Sequence, residues 1–239
     1  MQRNINSLIG FTMHATDGEI GKVEEFYFDD QSWSIRYLIL KTGDWLSGRE
    51  VLISPEALIK GAWKTHSFPV NLTKEQISNS PDIDTAKPVS RQQEIELYGY
   101  YPWQPYWGSG FYAGGLWDIS NSTPVVDQES LREVDDRSDK DPHLRSTKEV
   151  KGYHIHATDG DIGHVSDFII DDQTWELEYL VVDTHNWLGG KKVLIAVKHV
   201  SKVQWADSKV YADLNIDFIK NSEAFETLKY MNPEIGSTV

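Results

Sequence analysis

The chain has 239 residues, enough for about two domains, and its 37 acidic against 23 basic residues give a formal net charge of −14. This negative field repels nucleic acid and anionic membrane surfaces, so we expect neither as a partner. The absence of cysteine excludes disulfides and thiolate metal sites. No apolar run of about 18 residues is present to span a membrane, and the first residues lack the apolar core of a signal peptide, so the expected location is cytoplasmic.

An internal repeat is the clearest feature of the sequence. The stretch His14–Gly21 returns as His156–Gly163, a shift of 142 residues. The shift continues without a gap to Leu58 and Val200, and about half of the paired positions are identical. The chain therefore contains one module made twice, and its function has to be explained for the pair.

The first module, residues 5–80, has the pattern of about six short strands. Predicted strands cover residues 8–15, 20–28, 33–41 and 49–54, with two short ones near Trp63 and Phe68. Asp17-Gly18 is a tight-turn pair that joins the first two strands. Thr73 and Gln76 have capping-box spacing, which predicts a short helix that ends near Ser80. Short, evenly spaced strands favour a small antiparallel barrel, because a barrel closes its own edges.

The connector, residues 81–148, combines a predicted helix with a high density of aromatic rings. Ser90 and Gln93 repeat the capping-box spacing and predict a helix over residues 91–97. The rings that follow are interleaved with Gly and Pro, which argue against regular structure. The candidate partner-binding residues among them are Tyr101, Trp103, Tyr106, Trp107, Phe111, Tyr112 and Trp117.

Three interpretations of this aromatic stretch stay open. It is a structured connector packed on a barrel or on a second chain, a docking surface for a partner, or a disordered linker. The charged end of the connector, residues 127–148, has the composition of a solvated linker, with one or two helical turns possible near its start.

The second module, residues 149–231, has a counterpart for every element of the first. Three tryptophans of the first module recur in place as Trp175, Trp187 and Trp205. Asn215 takes the place of Thr73 as a helix cap. Phe225 and Leu228 lie three residues apart, which predicts a longer final helix over residues 222–231.

Laid side by side, the two copies resemble the PRC-barrel family, whose domain is shared by the photosynthetic reaction-centre H subunit and a ribosome maturation factor. The likeness rests on Asp17–Val23, Phe28–Asp30, Trp33–Leu40 and Val51–Pro55 and on their counterparts in the second copy. The run from His143 into the second module also resembles tandem PRC-barrel proteins of bacteria.

The resemblance implies a fold and a broad role. The predicted fold is mainly β, with two small antiparallel six-stranded barrels of the PRC type, short helices and an aromatic-rich connector. The implied role is that of an adaptor or assembly module, and the family offers no shared catalytic motif to carry over. We therefore predict no catalytic residue and no cofactor.

Two sets of residues have side chains suited to metal binding or acid/base catalysis. His154 and His156 lie two apart on a predicted strand, so they share a face and are weak candidates for a metal site, which lacks a third ligand in register. Asp29-Asp30 and Asp171-Asp172 are paired carboxylates, but adjacent turn positions do not provide the two different environments that an acid/base pair needs. We interpret them as turn residues, with weak cation binding as the alternative.

Two Gly-bearing loops carry large apolar residues at matching positions. Loop tryptophans either cover the end of a barrel or anchor a partner. The candidate partner-binding residues in these loops are Trp45, Leu46, Trp187 and Leu188.

The leading hypothesis is a non-enzymatic adaptor or assembly module that binds other proteins through its duplicated barrels and forms a homodimer. The two modules are expected to pack with approximate two-fold symmetry, because near-identical surfaces favour self-complementary contact. The alternative is a sensor of small ligands or metal ions that uses the barrel-end loops together with His154 and His156.

Overall fold

The computed structural model describes residues 1–59, 66–83, 89–101, 103–106, 144–185 and 190–226, and its regular structure is mainly β. The chain divides into two units, each with its own internal contacts. The first combines Met1–Ile77 with His143–Val239, and the second is Ser78–Pro142. The two repeats therefore share one folded unit although the connector separates them in sequence.

Thirteen strands lie in the described residues. The first six are β1 (Gln2–Asn4), β2 (Thr12–Ala15), β3 (Gly18–Asp29), β4 (Ser34–Thr42), β5 (Glu50–Ile53) and β6 (Ser67–Pro69). The others are β7 (Leu144–Ser146), β8 (His154–Ala157), β9 (Gly160–Asp171), β10 (Leu177–Asp183), β11 (Lys192–Ala196), β12 (Val200–Gln204) and β13 (Lys209–Ala212).

These strands form two sheets, one for each module. The first has six strands, with the order β5-β4-β3-β2-β6 and β7 added to β3. The second has seven strands, with the order β11-β10-β9-β8-β13-β12 and β1 added to β9. In each sheet the added strand therefore comes from outside the predicted module.

The prediction of purely antiparallel sheets is wrong at one place in each module. β6 runs parallel to β2, and β13 runs parallel to β8. After β5 and β11 the chain enters a 3-10 turn, Pro55–Ala57 or Val197–His199. The last strand of the module then pairs with the first one. Because these two strands are joined by a crossover and not by a hairpin, the pair is parallel. Among the described residues the strand pairings form open paths, not the closed rings that were expected.

The described residues form four short α-helices: α1 (Lys74–Ser78), α2 (Arg91–Tyr100), α3 (Thr147–Val150) and α4 (Ile216–Lys220). The predicted caps of α1, α2 and α4 are confirmed. Thr73 and Gln76 exchange hydrogen bonds as a capping box, Ser90 and Gln93 do the same, and Asn215 accepts from the N–H of Phe218.

The predicted final helix over residues 222–231 is wrong where the structure describes it. Residues 223–225 are extended along β11, where the N–H of Leu194 donates to the carbonyl of Glu223 and the N–H of Phe225 donates to that of Lys192. Phe225 packs on the buried cluster of Ile169, Val181 and Leu194. This apolar contact, rather than a helical stripe, accounts for Phe225. Leu228 lies outside the described residues.

The repeated motif at residues 14–21 forms the turn between β2 and β3. Gly18 has φ +141°, a conformation that side chains rarely adopt. Asp17 accepts a hydrogen bond from the N–H of Lys74 at 2.9 Å, so the turn also caps α1. A Cβ at Gly21 would lie 2.1 Å from the carbonyl oxygen of Lys41, so only glycine lets β3 and β4 approach this closely. The second copy repeats all three features at the same shift.

β4 carries the centre of the first core. Tyr37, Leu38, Ile39 and Leu40 are all fully buried, as expected for a strand covered on both faces near its end. Its counterpart β10 buries Leu180, Val181 and Val182 in the same way.

Candidate interaction surfaces and the seam between the modules

The three-residue strand before each module pairs with the sheet of the other module. We call these two strands, β1 and β7, the lent strands. β1, which precedes the first module, pairs with β9, and β7, which precedes the second module, pairs with β3. The two registers match after the shift of 142 residues: Arg3 lies opposite Ile170, and Arg145 lies opposite Phe28. We call this contact surface the seam.

The interpretation of residues 144–148 as solvated linker is wrong, because Leu144, Arg145 and Thr147 are buried.

The seam also has a backbone contact at its centre. The N–H of Ile35 donates to the carbonyl of Trp175 at 2.8 Å, and the N–H of Leu177 donates to that of Trp33 at 2.7 Å. Between these bonds Ser34 and Glu176 form an antiparallel bridge. Ser34 and Glu176 are equivalent positions of the two modules, so the bridge lies on a local two-fold axis. The expected two-fold packing of the modules is thus observed across the seam.

Two ion pairs stand symmetrically at the seam. Arg3 Nε lies 2.5 Å from a carboxylate oxygen of Asp172, and Arg145 Nε lies 2.6 Å from one of Asp30. The Arg145 side chain is only 6 % exposed and that of Arg3 is 14 % exposed. Charges this sheltered contribute to a contact only when they are paired, so each arginine ties its strand to the other module.

The neighbouring aspartates have the turn role that the sequence predicts. Asp29 accepts from the N–H groups of Gln31 and Ser32, and Asp171 accepts from those of Gln173 and Thr174. Each carboxylate pair is therefore divided between one turn residue and one seam residue. The sequence reasoning found the turn and missed the arginine partner.

A second pair of carboxylates bonds to the lent strands. Asn4 Nδ2 donates to Asp167 at 2.8 Å, and at the matching place the Ser146 hydroxyl donates to Glu25. Burial raises the pKa of Asp167 and of Glu25, although these hydrogen bonds act in the opposite direction. Both carboxyl groups therefore hold their protons more tightly at the seam than they would in water.

Two tryptophans complete the seam. Trp175 packs on Phe26 and Phe68 of the first module, with ring centroids 6.1 and 6.0 Å apart. Trp33 stacks on Phe28 at 5.5 Å, and Phe28 in turn contacts Phe168. Trp33 and Trp175 have positive φ, 56° and 62°, which is an outlier for a bulky residue. Such strain persists only where surrounding contacts fix the backbone, and the seam supplies those contacts.

Trp45 is placed as a cover over its own module. Its indole N–H donates to the carbonyl of Ile20 at 2.6 Å, and the Lys74 ammonium lies 5.0 Å from the ring centroid. Trp45 and Leu46 are both half-buried. Of the two interpretations of this loop, the covering one is favoured for Trp45. Trp187 and Leu188 lie outside the described residues.

The described rings of the connector pack within the second unit. Tyr101 and Trp103 stack with centroids 4.1 Å apart, and Tyr98 meets Trp103 edge to face. Both Tyr101 and Trp103 are buried. The structured-connector interpretation therefore fits these two residues better than an open docking surface does. Trp107, Phe111, Tyr112 and Trp117 lie outside the described residues.

A buried carboxylate holds Tyr106 in the same unit. The Tyr106 hydroxyl donates to Glu94 at 2.6 Å, and Arg91 lies 2.8 Å from the other oxygen of this buried side chain. Burial raises the pKa of the Tyr106 phenol above its usual range. Tyr106 is thus a structural partner of α2 in this structure.

The two candidate histidines do not act as a pair. His156 Nδ1 lies 2.5 Å from Asp161, which also binds Lys209 at 3.1 Å. The hydrogen bond with His156 and then the one with Lys209 lower the pKa of Asp161. His154 is exposed and lies across the strand pair from His164, a neighbour that sequence spacing did not suggest. Within the part of the chain that the structure describes, no three His, Cys, Asp or Glu side chains converge to hold a metal ion.

A comparison with protein-family models matches the PRC-barrel domain at residues 2–65 and again at residues 145–215. The two matches cover more than half of the chain and include β1 and all of β7 except Leu144. The chain belongs to the PRC-barrel family. No curated protein matches it. In the described residues of this PRC-barrel protein, none of the helices has the length and apolar content needed to cross a membrane.

The second PRC module exposes two aromatic side chains that the seam does not use. Trp205, in the turn between β12 and β13, is 46 % exposed, and Phe218 of α4 is 56 % exposed. The first module carries Gln76 at the place of Phe218, as the matching helix caps show. Sequence reasoning missed Phe218, although the signal was present: an aromatic residue at the position where the other copy has a glutamine.

Proposed function

We propose that this protein is a non-enzymatic adaptor in the cytoplasm that assembles with other proteins through its paired PRC modules. One observation carries the proposal: Trp205 and Phe218 stand exposed on the second module, while every tryptophan at the seam is engaged. Membership of the PRC-barrel family supports it, since these domains often serve in protein interaction.

The exposed Trp205 and Phe218 are side chains of a type that binds partners well. Aromatic residues bury large apolar areas when a partner covers them, and they are enriched among the residues that dominate binding energy. The net charge of −14 favours a partner with a basic surface, because complementary charge speeds encounter. The expected partner is therefore a protein that offers an apolar pocket within a basic surround.

Affinity capture with matched variants tests this proposal. Wild-type protein is immobilised and exposed to lysate of the native cell, and bound proteins are quantified by mass spectrometry. Trp205→Ser and Phe218→Gln should reduce one common set of captured proteins by at least about tenfold, the effect of 1.4 kcal/mol. Ile59→Ser is the control, because Ile59 is an exposed apolar residue of the first module. Capture that is the same for all variants would contradict the proposal.

The expected homodimer stays a prediction. The self-complementary surface that the repeat suggests is used between the modules of one chain, so a dimer needs another surface or an exchange of modules. Light scattering over a range of concentrations measures the state.

The alternative function is a metal or ligand sensor, and the cross-strand neighbours His154 and His164 are the observation on its side. Side chains at such positions lie about 5 Å apart, within reach of one metal ion. Calorimetric titration with zinc chloride separates the two proposals. Saturable micromolar binding that is lost in His164→Gln favours the sensor, and its absence favours the adaptor.

A further inference from the structure

The seam has the geometry of an interface between two identical partners. The added strands and the ion pairs on one side have their equivalents on the other after a shift of 142 residues: strand β1 on β9 and β7 on β3, Arg3 with Asp172 and Arg145 with Asp30. Within the described residues, the Ser34–Glu176 bridge is its own equivalent, as a contact on a two-fold axis must be. Such a surface is isologous: it joins two copies of one module.

None of these contacts requires both modules to belong to one chain. The lent strand β7 enters the first module directly before the second module begins, and β1 enters the second module directly before the first. The covalent link between the halves is the long segment Ser78–Pro142, which forms a unit of its own. A first module could therefore receive β7 from another copy with the same registers and the same ion pair.

We propose that the seam also fits a second copy of this chain, with the first module of each copy seated on the second module of the other. The product is an exchanged dimer that contains two complete seams. Exchange of identical elements gives a dimer without any new contact, so its stability differs from that of two closed chains mainly through the connector.

Mass action decides between the closed chain and the exchanged dimer. A covalent connection between two modules gives an effective concentration on the order of millimolar. Closed chains therefore dominate at micromolar concentration, and exchange becomes competitive when copies are crowded towards the millimolar range. The two forms interconvert slowly, because opening has to break two strand pairs and two sheltered ion pairs.

Charge reversal at one ion pair gives a direct test. In Arg3→Glu a glutamate faces Asp172, and in Asp172→Arg an arginine faces Arg3, so each variant has a repulsive seam when closed. In an exchanged dimer of one copy of each variant, Glu at position 3 meets Arg at position 172 in one seam, and the native pair forms in the other. The mixture can therefore satisfy both seams only by exchange.

The two variants are denatured together, refolded as a mixture and analysed by native mass spectrometry. The expected result is a 1:1 heterodimer that exceeds either homodimer at least about tenfold, in line with one decade for each 1.4 kcal/mol of pairing. The matched control is Lys41→Glu with Glu24→Lys, an exposed pair inside the first module that exchange cannot repair. Arg145→Glu with Asp30→Arg repeats the test on the second ion pair.

Wild-type protein provides a measurement that does not depend on variant folding. Two C-terminally tagged forms are refolded together at about 1 µM and at about 1 mM, below and near the effective concentration. A dimer that carries both tags should rise from a trace to a substantial share, with an unchanged circular dichroism spectrum. Monomers alone at both concentrations, together with no heterodimer from either charge-reversed pair, would overturn the proposal.

Discussion

At three cross-strand neighbours on β2, β3 and β4 the first module carries Thr12, Lys22 and Lys41. The second module has His154, His164 and Asp183 at the matching places. The helices that follow differ in the same way, since the exposed Phe218 stands where the first module has Gln76.

At the seam, by contrast, several equivalent positions carry the same residue in both modules. Identical residues occupy both copies at the arginine of the lent strand, the paired aspartate and the strained tryptophan: Arg3 and Arg145, Asp30 and Asp172, Trp33 and Trp175. The contrast teaches that the seam requires the same residue from both modules at these three positions, whereas the surfaces away from the seam are free to serve different contacts. The following predictions test whether the two halves of the seam are equivalent and whether the outer surfaces are not.

The largest expected effect is at the tryptophans. Trp175→Ala should lower the free energy of unfolding by about 3–5 kcal/mol, because the buried ring leaves a cavity against Phe26 and Phe68. Trp33→Ala should cost less, about 2 kcal/mol, since Trp33 is only half-buried. Urea unfolding measures both losses, and Trp205→Ala is the exposed control. A loss at Trp205 as large as that at Trp175 would contradict the assignment of the seam.

Removal of one seam arginine should have the next largest effect. Arg145→Met removes the sheltered ion pair with Asp30 and should cost about 3 kcal/mol. Arg3→Met should cost somewhat less, about 2 kcal/mol, because Arg3 is more exposed. Lys41→Met breaks an exposed pair and should cost at most about 1 kcal/mol. Chemical denaturation ranks the three variants, and equal losses would remove the distinction between seam and surface pairs.

The fold could be predicted from the sequence where the pattern is local. The Asp17-Gly18 turn, the capping boxes at Thr73 and Ser90 and the buried β4 follow from residue types at fixed spacing, and the structure has all of them. β1 and β7 could not be predicted in this way, because a three-residue strand whose partner lies in the other module has no periodicity of its own. The matching Arg3 and Arg145 were the available signal, since the repeat extends upstream to them.

The candidate site was harder to predict for a related reason. His154 and His156 share a strand face, as the spacing indicates, but the contact of His156 with Asp161 and the neighbour of His154, His164, come from the adjacent strand. Register between strands decides those contacts, and β8 and β9 carry a register irregularity at this place. Parallel pairing of β13 with β8 likewise depends on a crossover that no local pattern encodes.

A third prediction concerns pH. Burial raises the folded-state pKa of Asp167, so the folded chain holds this proton more tightly than the unfolded chain does. The corresponding stability is present below the ordinary aspartate pKa and is lost as pH rises through the raised pKa. The stability advantage of wild type over Asp167→Asn should therefore shrink as the pH rises above the ordinary aspartate pKa. Urea unfolding at several pH values checks this, and Glu25→Gln should show the same direction; an advantage that grows with pH would contradict it.

The smallest expected effect on stability is at the outer surface. Phe218→Gln installs the residue of the first module and should change the free energy of unfolding by at most about 0.5 kcal/mol, because the side chain is exposed. The same variant should lose captured partners. Thermal unfolding and affinity capture of one preparation separate the two effects, and a large destabilisation would assign Phe218 to the core of the second module instead.

The two modules meet on a local two-fold axis at Ser34 and Glu176. These residues form a bridge flanked by hydrogen bonds of their neighbours, a position where Cα atoms lie about 4.5 Å apart, within the range of a disulfide. The chain has no cysteine, so the double variant Ser34→Cys with Glu176→Cys reports on this contact alone. Mass spectrometry under mild oxidation should find a disulfide between positions 34 and 176 in nearly all molecules, and free thiols in the control Ser34→Cys with Lys202→Cys. Free thiols in both variants would contradict the seam.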